Sequence, residues 1–402
     1  MNFKIKSFAY KLFIPLISFT SLTGCWDLVE VNQLAIVNML GADKDPKTGK
    51  HTTYYQVVNP PGIAKQGGSG IKSPVYSYKI EASSIPETEI KTSQIIPRVL
   101  FPDHYQAIII TERYARTGLR EMVNFIDRKN NRHSSVNLLI TDSPLAEVMN
   151  TYIPLERLSG LTLRSMIKIQ SEQFGSASEK SRIKDLGEKI ESSALTIMPL
   201  ISLASSKPAP STDRYEQINA NQGNITFTGG AVFEGDRMIG KLKQPQLSLY
   251  YLLSGQTHVL SQTLTVNQEK IYIRAIDTVV SKHLSYASGQ LSLRFDMKTK
   301  LQIQANQNVI LTKGNLAKIK ESFHRQVEIK TNELYHMGRM KGWDLLGIEE
   351  QIKWKRGKEW EQAKKNTSSW KETKIDLTVI SKVTDTGVIK DPYKGEQHHG
   401  GS

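Results

Sequence analysis

The chain has 402 residues, a formal net charge of +14 and a single cysteine. With 39% hydrophobic and 23% charged residues it has the make-up of a globular protein, which excludes a disordered tail, and the lone cysteine excludes an internal disulfide. A chain this long can bury enough apolar surface for two or three domains.

The N-terminus carries Lys4, Lys6 and Lys11 and no acidic residue before Asp27. An apolar run from Leu12 to Phe19 follows, and then Leu22-Thr23-Gly24-Cys25. A basic start, a short apolar stretch and small residues at a cleavage point are the order of a secretory leader. The run falls short of the roughly 20 apolar residues that span a bilayer. Thr23 and Gly24 let the segment lie extended in a peptidase cleft, and the Cys25 thiol is the nucleophile that takes a diacylglyceryl group. Leu22-Thr23-Gly24-Cys25 resembles the lipobox of bacterial lipoproteins. An ordinary leader, or an uncleaved anchor with an incidental cysteine, is the plainer alternative, but an unrelated cysteine would rarely fall at this register. The expectation is a leader over residues 1–24 and lipidation at Cys25, diacylglyceryl on sulfur and an N-acyl chain such as palmitate on the amine. Two acyl chains give durable attachment where one gives marginal binding.

Loss of the leader removes three positive charges and leaves a basic body. Beside a membrane such a body is drawn to anionic headgroups. Nucleic acid is the rival partner for a basic protein, but export argues against it and no nucleic-acid motif is present.

Leu34 to Leu40 and His51 to Val58 are two strand-like runs around the polar turn Asp43–Gly49, which predicts a hairpin. Asn59-Pro60-Pro61-Gly62 and Lys65–Gly70 have loop composition. A strand at Val75–Ile80 precedes a polar helix over about 85–97. Tyr105–Thr111 suits a buried strand, a helix is expected over 117–127, and Val136–Thr141 reads as another strand. Two such strand-helix-strand passages argue for mixed α/β structure. A helical stretch over 155–192 follows. Residues 202–223, with Ser205, Ser206, Pro208 and Pro210, read as a linker or long surface loop.

A β-rich segment runs from Ile225 through Phe233, Met238-Ile239-Gly240 and Leu247-Ser248-Leu249-Tyr250-Tyr251. Leu291, Leu293, Phe295 and Met297 alternate with period two, as do Leu301, Ile303 and Ala305. At 313–341 the period changes: Leu316, Ile319, Phe323, Val327, Leu334 and Met337 fall on one helical face. A last strand is expected at Ile375–Ile380. The resulting architecture is α+β with antiparallel or mixed sheets, divided as 25–201, the linker 202–223, a small middle unit 224–280, a sheet-plus-helix unit 281–392 and a tail 393–402.

Catalytic sets are weak. Ser-x-x-Lys occurs at Ser69–Lys72 and Ser165–Lys168, and Ser135-Val136-Asn137 and Lys47-Thr48-Gly49 resemble other boxes of penicillin-binding enzymes. Their order is wrong, since Lys47-Thr48-Gly49 comes first and sits in a hairpin turn. Glu321, His324 and Glu328 share a helical face that could bind a cation weakly, although an exposed polar face is the simpler account. Gly67-Gly68-Ser69-Gly70 lacks the lysine and helix start of a phosphate loop. His398-His399 lies in a Gly-rich tail. No cofactor motif or metal spacing stands out, and no enzyme is expected. Trp354, Trp360 and Trp370 lie among Lys353, Lys355 and Arg356 and are read first as core beneath the long helix, second as a headgroup or partner surface.

Taken in order, these segments resemble the Ger(x)C family, the C-subunit lipoproteins of GerA-type spore germinant receptors. The resemblance runs from Gly24-Cys25-Trp26-Asp27, Glu30, Asn32 and Leu34–Val37, through Pro97-Arg98-Val99-Leu100, His104, Ile108–Ile110, Gly118-Leu119 and Arg132. It continues with Gly229–Phe233, Gly240-Lys241-Leu242, Asp344-Leu345-Leu346-Gly347, Trp360, Trp370 and Thr386-Gly387. The chain departs from the family at Lys355–Lys358, where a proline is expected before Trp360, and at Lys382–Asp385, which is less basic than usual. The resemblance implies three mixed α+β domains and a non-enzymatic subunit on the outer face of the cytoplasmic (spore inner) membrane. Its partners would be two integral-membrane subunits, A-type and B-type, in a nutrient receptor. The rival from another class is a solute-binding lipoprotein that delivers a small ligand to a transporter, which requires a cleft between two lobes.

Overall fold

The computed structural model describes residues 30–63, 72–128, 135–204, 209–216, 219–220, 223–306, 309–365 and 369–386. Residues 1–24, where a leader is expected, Cys25, Trp26-Asp27, Gly67–Gly70, Arg132 and His398-His399 lie outside the described residues.

The architecture is α+β. Among the described residues the strands form a nine-stranded sheet, in the order β3-β2-β1-β5-β6-β7-β8-β9 with β4 on β1, and a four-stranded sheet, β10-β11-β12-β13. The expected hairpin is β1 (Leu34–Lys44) against β2 (His51–Val58), and β3 (Val75–Ala82) extends it. β4 (Val99–Phe101) runs parallel to the start of β1. β5 (Ala107–Thr111), β6 (Asn137–Thr141) and β7 (Thr196–Leu203) continue from β1 as parallel neighbours. Parallel strands are covered on both faces, so they read as continuous apolar runs. Ile108, Ile109, Ile110, Leu138, Leu139 and Ile140 are all fully buried.

On one face lie α1 (Ile85–Thr92), α2 (Glu112–Thr117), α3 (Arg120–Asp127) and, further along, α6 (Ile183–Gly187). On the other lie α4 (Leu145–Met149) and α5 (Ser159–Ile169). The helix expected over 117–127 is α3, which starts at Arg120, and α2 precedes it. Gly118 separates them at φ +108, in contact with the Asp236 carboxylate of the β8–β9 turn. The stretch 155–192 is helical only in α5, a π-helical turn at Gln170–Phe174 and α6.

Residues 224–280 supply β8 (Ile225–Glu234) and β9 (Arg237–Lys243) to the first sheet, and β10 (Leu260–Val266) and the start of β11 (Glu269–Ala287) to the second. β8 pairs with β7 from Thr196–Phe233 to Leu203–Ile225, so the backbone donors and acceptors of β7 are satisfied there. β11 passes residue 280 as one strand. Leu247–Tyr251 is helical, inside α7 (Gln244–Leu253), where a β-rich run was expected. An apolar run buried all round fits either state, and Pro245 in the first turn favours the helix. α7 lies between the sheets and packs on β8, β9, β10 and β11.

β12 (Gln290–Asn306) unites the two alternating runs in one strand, antiparallel to β11 and parallel to β13 (Lys374–Asp385). Between β12 and β13 comes α8 (Lys313–Lys341), the long amphipathic helix. Its start is capped by Thr312, whose Oγ1 accepts from Asn315 N at 3.2 Å, and it ends at Gly342 with φ +72. Ile319, Phe323, Val327 and Leu334 of α8 are buried on this sheet. α9 (Ile348–Trp354) and α10 (Lys358–Lys365) complete the connection. No helix among the described residues is long and apolar enough to cross a membrane.

Candidate functional site

The parallel strands give the first sheet two distinct edges. At the carboxyl edge, β1 leads leftward to β2 while β5 leads rightward to β6, so the strand order reverses between β1 and β5. Open α/β sheets hold ligands at such a point. A cleft of 810 Å³ lies here, lined by Asp43, Thr111, Glu112, Arg113, Asp142 and Lys79 among others.

The register of β1 places Asp43 at the strand end, where its carboxylate accepts from Arg113 Nε at 2.7 and 2.9 Å, from Arg113 Nη2 and from Thr111 Oγ1. Burial alone would raise the Asp43 carboxyl, but the bonds from Arg113 and Thr111 and the guanidinium charge hold it below the ordinary carboxylate range. Lys241 reaches in from β9 to Glu112 Oε2 at 2.6 Å and Asp142 Oδ2 at 2.9 Å. Arg116 donates to Glu112 at 2.7 Å. Lys79 and Lys50 both pair with Glu81. The cleft is therefore polar, with charges that satisfy one another. Nearby His51 is buried edge-on against Tyr114, and burial lowers its pKa. It is 3.7 Å from Glu121 and stands beside no nucleophile.

The amino edge is where the chain enters. Met39 is level with Ala107, Ala107 with Asn137, and Ile140 with Leu200. β1 and β7 run in the same direction in this sheet, so Leu34, which opens β1, and Ser193, three residues before β7, both lie at its amino edge. At this edge Ser193 Oγ donates to Glu350 Oε2 of α9 at 2.9 Å. One turn further on, Trp354 Nε1 donates to Glu350 Oε1 at 3.3 Å. The tryptophans divide: Trp360 and Trp370 are core, as first expected, with Tyr335 Oη donating to the Trp370 carbonyl at 3.0 Å, whereas Trp354 is 79% exposed.

Of the other groups singled out in the sequence, Ser135, Asn137, Ser165 and Lys168 line one cleft of 870 Å³ with Arg164 and Glu172, while the rest lie apart. Lys47-Thr48-Gly49 is the β1–β2 turn, held by Asp45 Oδ1 accepting from the Lys47 and Thr48 amides. His324 Nε2 lies 2.8 Å from Ser381 Oγ of β13. Among the described residues, no group of three His, Cys, Asp or Glu side chains is placed to hold a metal ion. The Asp43–Arg113 pair and the Lys241 bridge escape sequence reading, since no local pattern joins residues 70 positions or more apart.

Two family models match, one after the other. "Spore germination protein N-terminal domain" covers residues 27–203 and "Spore germination B3/ GerAC like, C-terminal" covers residues 228–387. The chain belongs to the Ger(x)C family. Among Ger(x)C relatives, it is 23% identical over 317 residues to the putative spore germination protein YfkR of Bacillus subtilis, covering 77% of this chain and 78% of that one. It is 26% identical over 193 residues to spore germination protein KC of the same organism, covering 47% of this chain and 46% of that one. The fold is similar to the crystal structure of the GerBC protein, with a TM-score of 0.55 and 14% identity over 86% of this chain and 97% of that one. Family membership makes this a spore germination protein of the germinant-receptor C-subunit type.

Proposed function

We propose that this Ger(x)C chain is a lipid-anchored, non-enzymatic subunit of a nutrient-sensing germinant receptor. It acts in receptor assembly or signal coupling with the A-type and B-type integral-membrane subunits, on the outer face of the spore inner membrane. The observation that carries the reading is the pair of family matches, which together take in most of the chain and begin two residues after Cys25. The leader and Leu22-Thr23-Gly24-Cys25 support the anchor, and two acyl chains on Cys25 are sufficient to hold a folded body at a bilayer. The self-paired charges of the carboxyl-edge cleft favour a binding and assembly role over catalysis, because no group there is left poised to act as base or nucleophile.

The test is Cys25→Ala in the producing organism. The variant is expected in the soluble fraction, with germination by the receptor's nutrient lost, and the wild-type chain is expected to co-purify with two integral-membrane subunits. Full membrane retention with full receptor function in the variant removes the anchor from the account.

A further inference from the structure

Residues 353–358, Lys-Trp-Lys-Arg-Gly-Lys, join α9 to α10 and carry four cations and no carboxylate. Trp354 is 79% exposed, against 7% and 5% for Trp360 and Trp370. Lys353 pairs with Glu349 at 3.2 Å, and among the described residues Lys355, Arg356 and Lys358 make no ion pair. Leaving an indole in water forfeits the burial of a large apolar surface; here only its Nε1 is engaged, by Glu350, and cations flank it in sequence, with Lys355 Nζ 5.5 Å from the Trp360 centroid. An amphipathic ring beside lysine and arginine is the combination favoured at the headgroup level of a bilayer.

The position of this segment is as informative as its composition. The bond from Ser193 to Glu350 fixes α9 to the amino edge of the nine-stranded sheet, the edge at which Leu34 enters. Nine residues separate Cys25 from Leu34, a reach of at most about 30 Å. A lipid on Cys25 therefore tethers the body by this edge.

We infer that Trp354, Lys355, Arg356 and Lys358 form a membrane-seating face that rests on anionic phospholipid, with the Trp354 ring at headgroup depth. This inference rests on the reading of Cys25 as the anchor. It adds an orientation: the amino edge faces the bilayer, and the cleft of Asp43 and Arg113 faces away from it.

The test takes the processed chain from residue 25 with Cys25→Ala, so that no acyl chain contributes, and vesicles of phosphatidylcholine alone or with about one-third phosphatidylglycerol. Binding is expected only to the anionic vesicles and is expected to fall as salt rises. Brominated acyl chains are expected to quench an emission component that Trp354→Phe removes. Charge reversal at Lys355, Arg356 and Lys358 together is expected to weaken partition by more than tenfold, since each cation contributes about fivefold. Equal binding to neutral vesicles overturns the inference. So does a Trp354 that stays open to aqueous iodide on anionic vesicles and becomes shielded only when the integral-membrane subunits are present, which would assign the face to protein contact. Resistance of the wild-type lipidated chain to a high-salt wash reports on the anchor separately. Loss of that resistance with vesicle partition intact removes the anchor alone, and the reverse removes the seating face alone.

Discussion

The ring of Trp343 occupies the space that a side chain on Gly240 would fill: a Cβ built there lies 2.2 Å from both Cζ2 and Cη2 of the indole. Gly240 belongs to β9 of the first sheet, and Trp343 follows α8 of the second unit, so this contact joins the two halves of the molecule. The indole is buried, and Lys341 Nζ sits 4.3 Å from its centroid. Gly240→Ala is expected to lower stability by about 1–3 kcal/mol, the usual cost of overpacking. Pairing it with Trp343→Leu should recover part of that loss, because the two changes share one space. Urea unfolding of the single and double variants measures it. Additive losses would show that the indole does not depend on the glycine.

The Asp43–Arg113 pair predicts an acid-side pH dependence. The folded-state pKa of Asp43 lies below the unfolded value of about 3.9, so its stabilisation is present above that value and is lost as pH falls through the folded one. Wild-type urea midpoints should therefore drop more steeply below about pH 4 than those of Asp43→Asn. Arg113→Ala should cost about 1–3 kcal/mol at pH 7, because it leaves a mostly buried carboxylate with only Thr111 as side-chain donor. Parallel pH profiles for wild type and Asp43→Asn would remove Asp43 from the acid transition.

Asp344 carries the opposite sign. Burial raises its carboxyl pKa, against the hydrogen bonds from the Ile348, Glu349 and Gly347 amides that lower it. A carboxyl raised in the folded state weighs against stability as pH climbs above its unfolded value of about 3.9. Asp344→Asn keeps an acceptor for the Glu349 amide, now 2.7 Å from Oδ2, and should gain on wild type between pH 4 and 7. Asp344→Ala loses that acceptor and should cost about 0.5–2 kcal/mol. Chemical denaturation of the three proteins at both pH values gives the order, and an Asn variant that loses ground as pH rises contradicts it.

The rival solute-binding reading concentrates on the carboxyl-edge cleft. Because Lys241, Glu112, Asp142, Arg113 and Asp43 already satisfy one another, titration of amino acids and sugars into the isolated chain is expected to give no saturable heat. A saturable heat abolished by Arg113→Ala would favour the solute-binding account.

Much of the first sheet is legible in the sequence, for a definite reason. The run Ile108-Ile109-Ile110 and the turn at Asp45-Pro46-Lys47-Thr48-Gly49 are local signals, and parallel strands buried on both faces leave continuous apolar runs. α8 is equally plain, since Ile319, Phe323, Val327 and Leu334 repeat along one face. α7 is not, because Leu249–Leu253 is a continuous buried apolar run with no polar position to reveal its period. Of the two readings of 202–223, linker or long surface loop, the described residues fit the loop. Arg214 is 2% exposed and donates to the Asn219 and Ala220 carbonyls at 2.6 Å, and Tyr152 N donates to the Ala209 carbonyl at 3.0 Å. The described part of the segment is largely exposed, a surface loop anchored locally by Arg214 and by the Tyr152–Ala209 bond.

What the sequence determined by itself was written in neighbouring residues: the basic and apolar N-terminal run before Cys25, the α+β alternation, the long amphipathic helix and the ordered series of Ger(x)C segments. Each is a property of adjacent positions or of a short period, so a linear reading captures it. Tertiary structure alone decided that β8 and β9 join the first sheet, that Gly240 makes room for Trp343, and that Trp354 stands at the same edge as Leu34. Those facts depend on strand register and on packing between residues that are not neighbours in the chain, and no local preference encodes which surfaces meet.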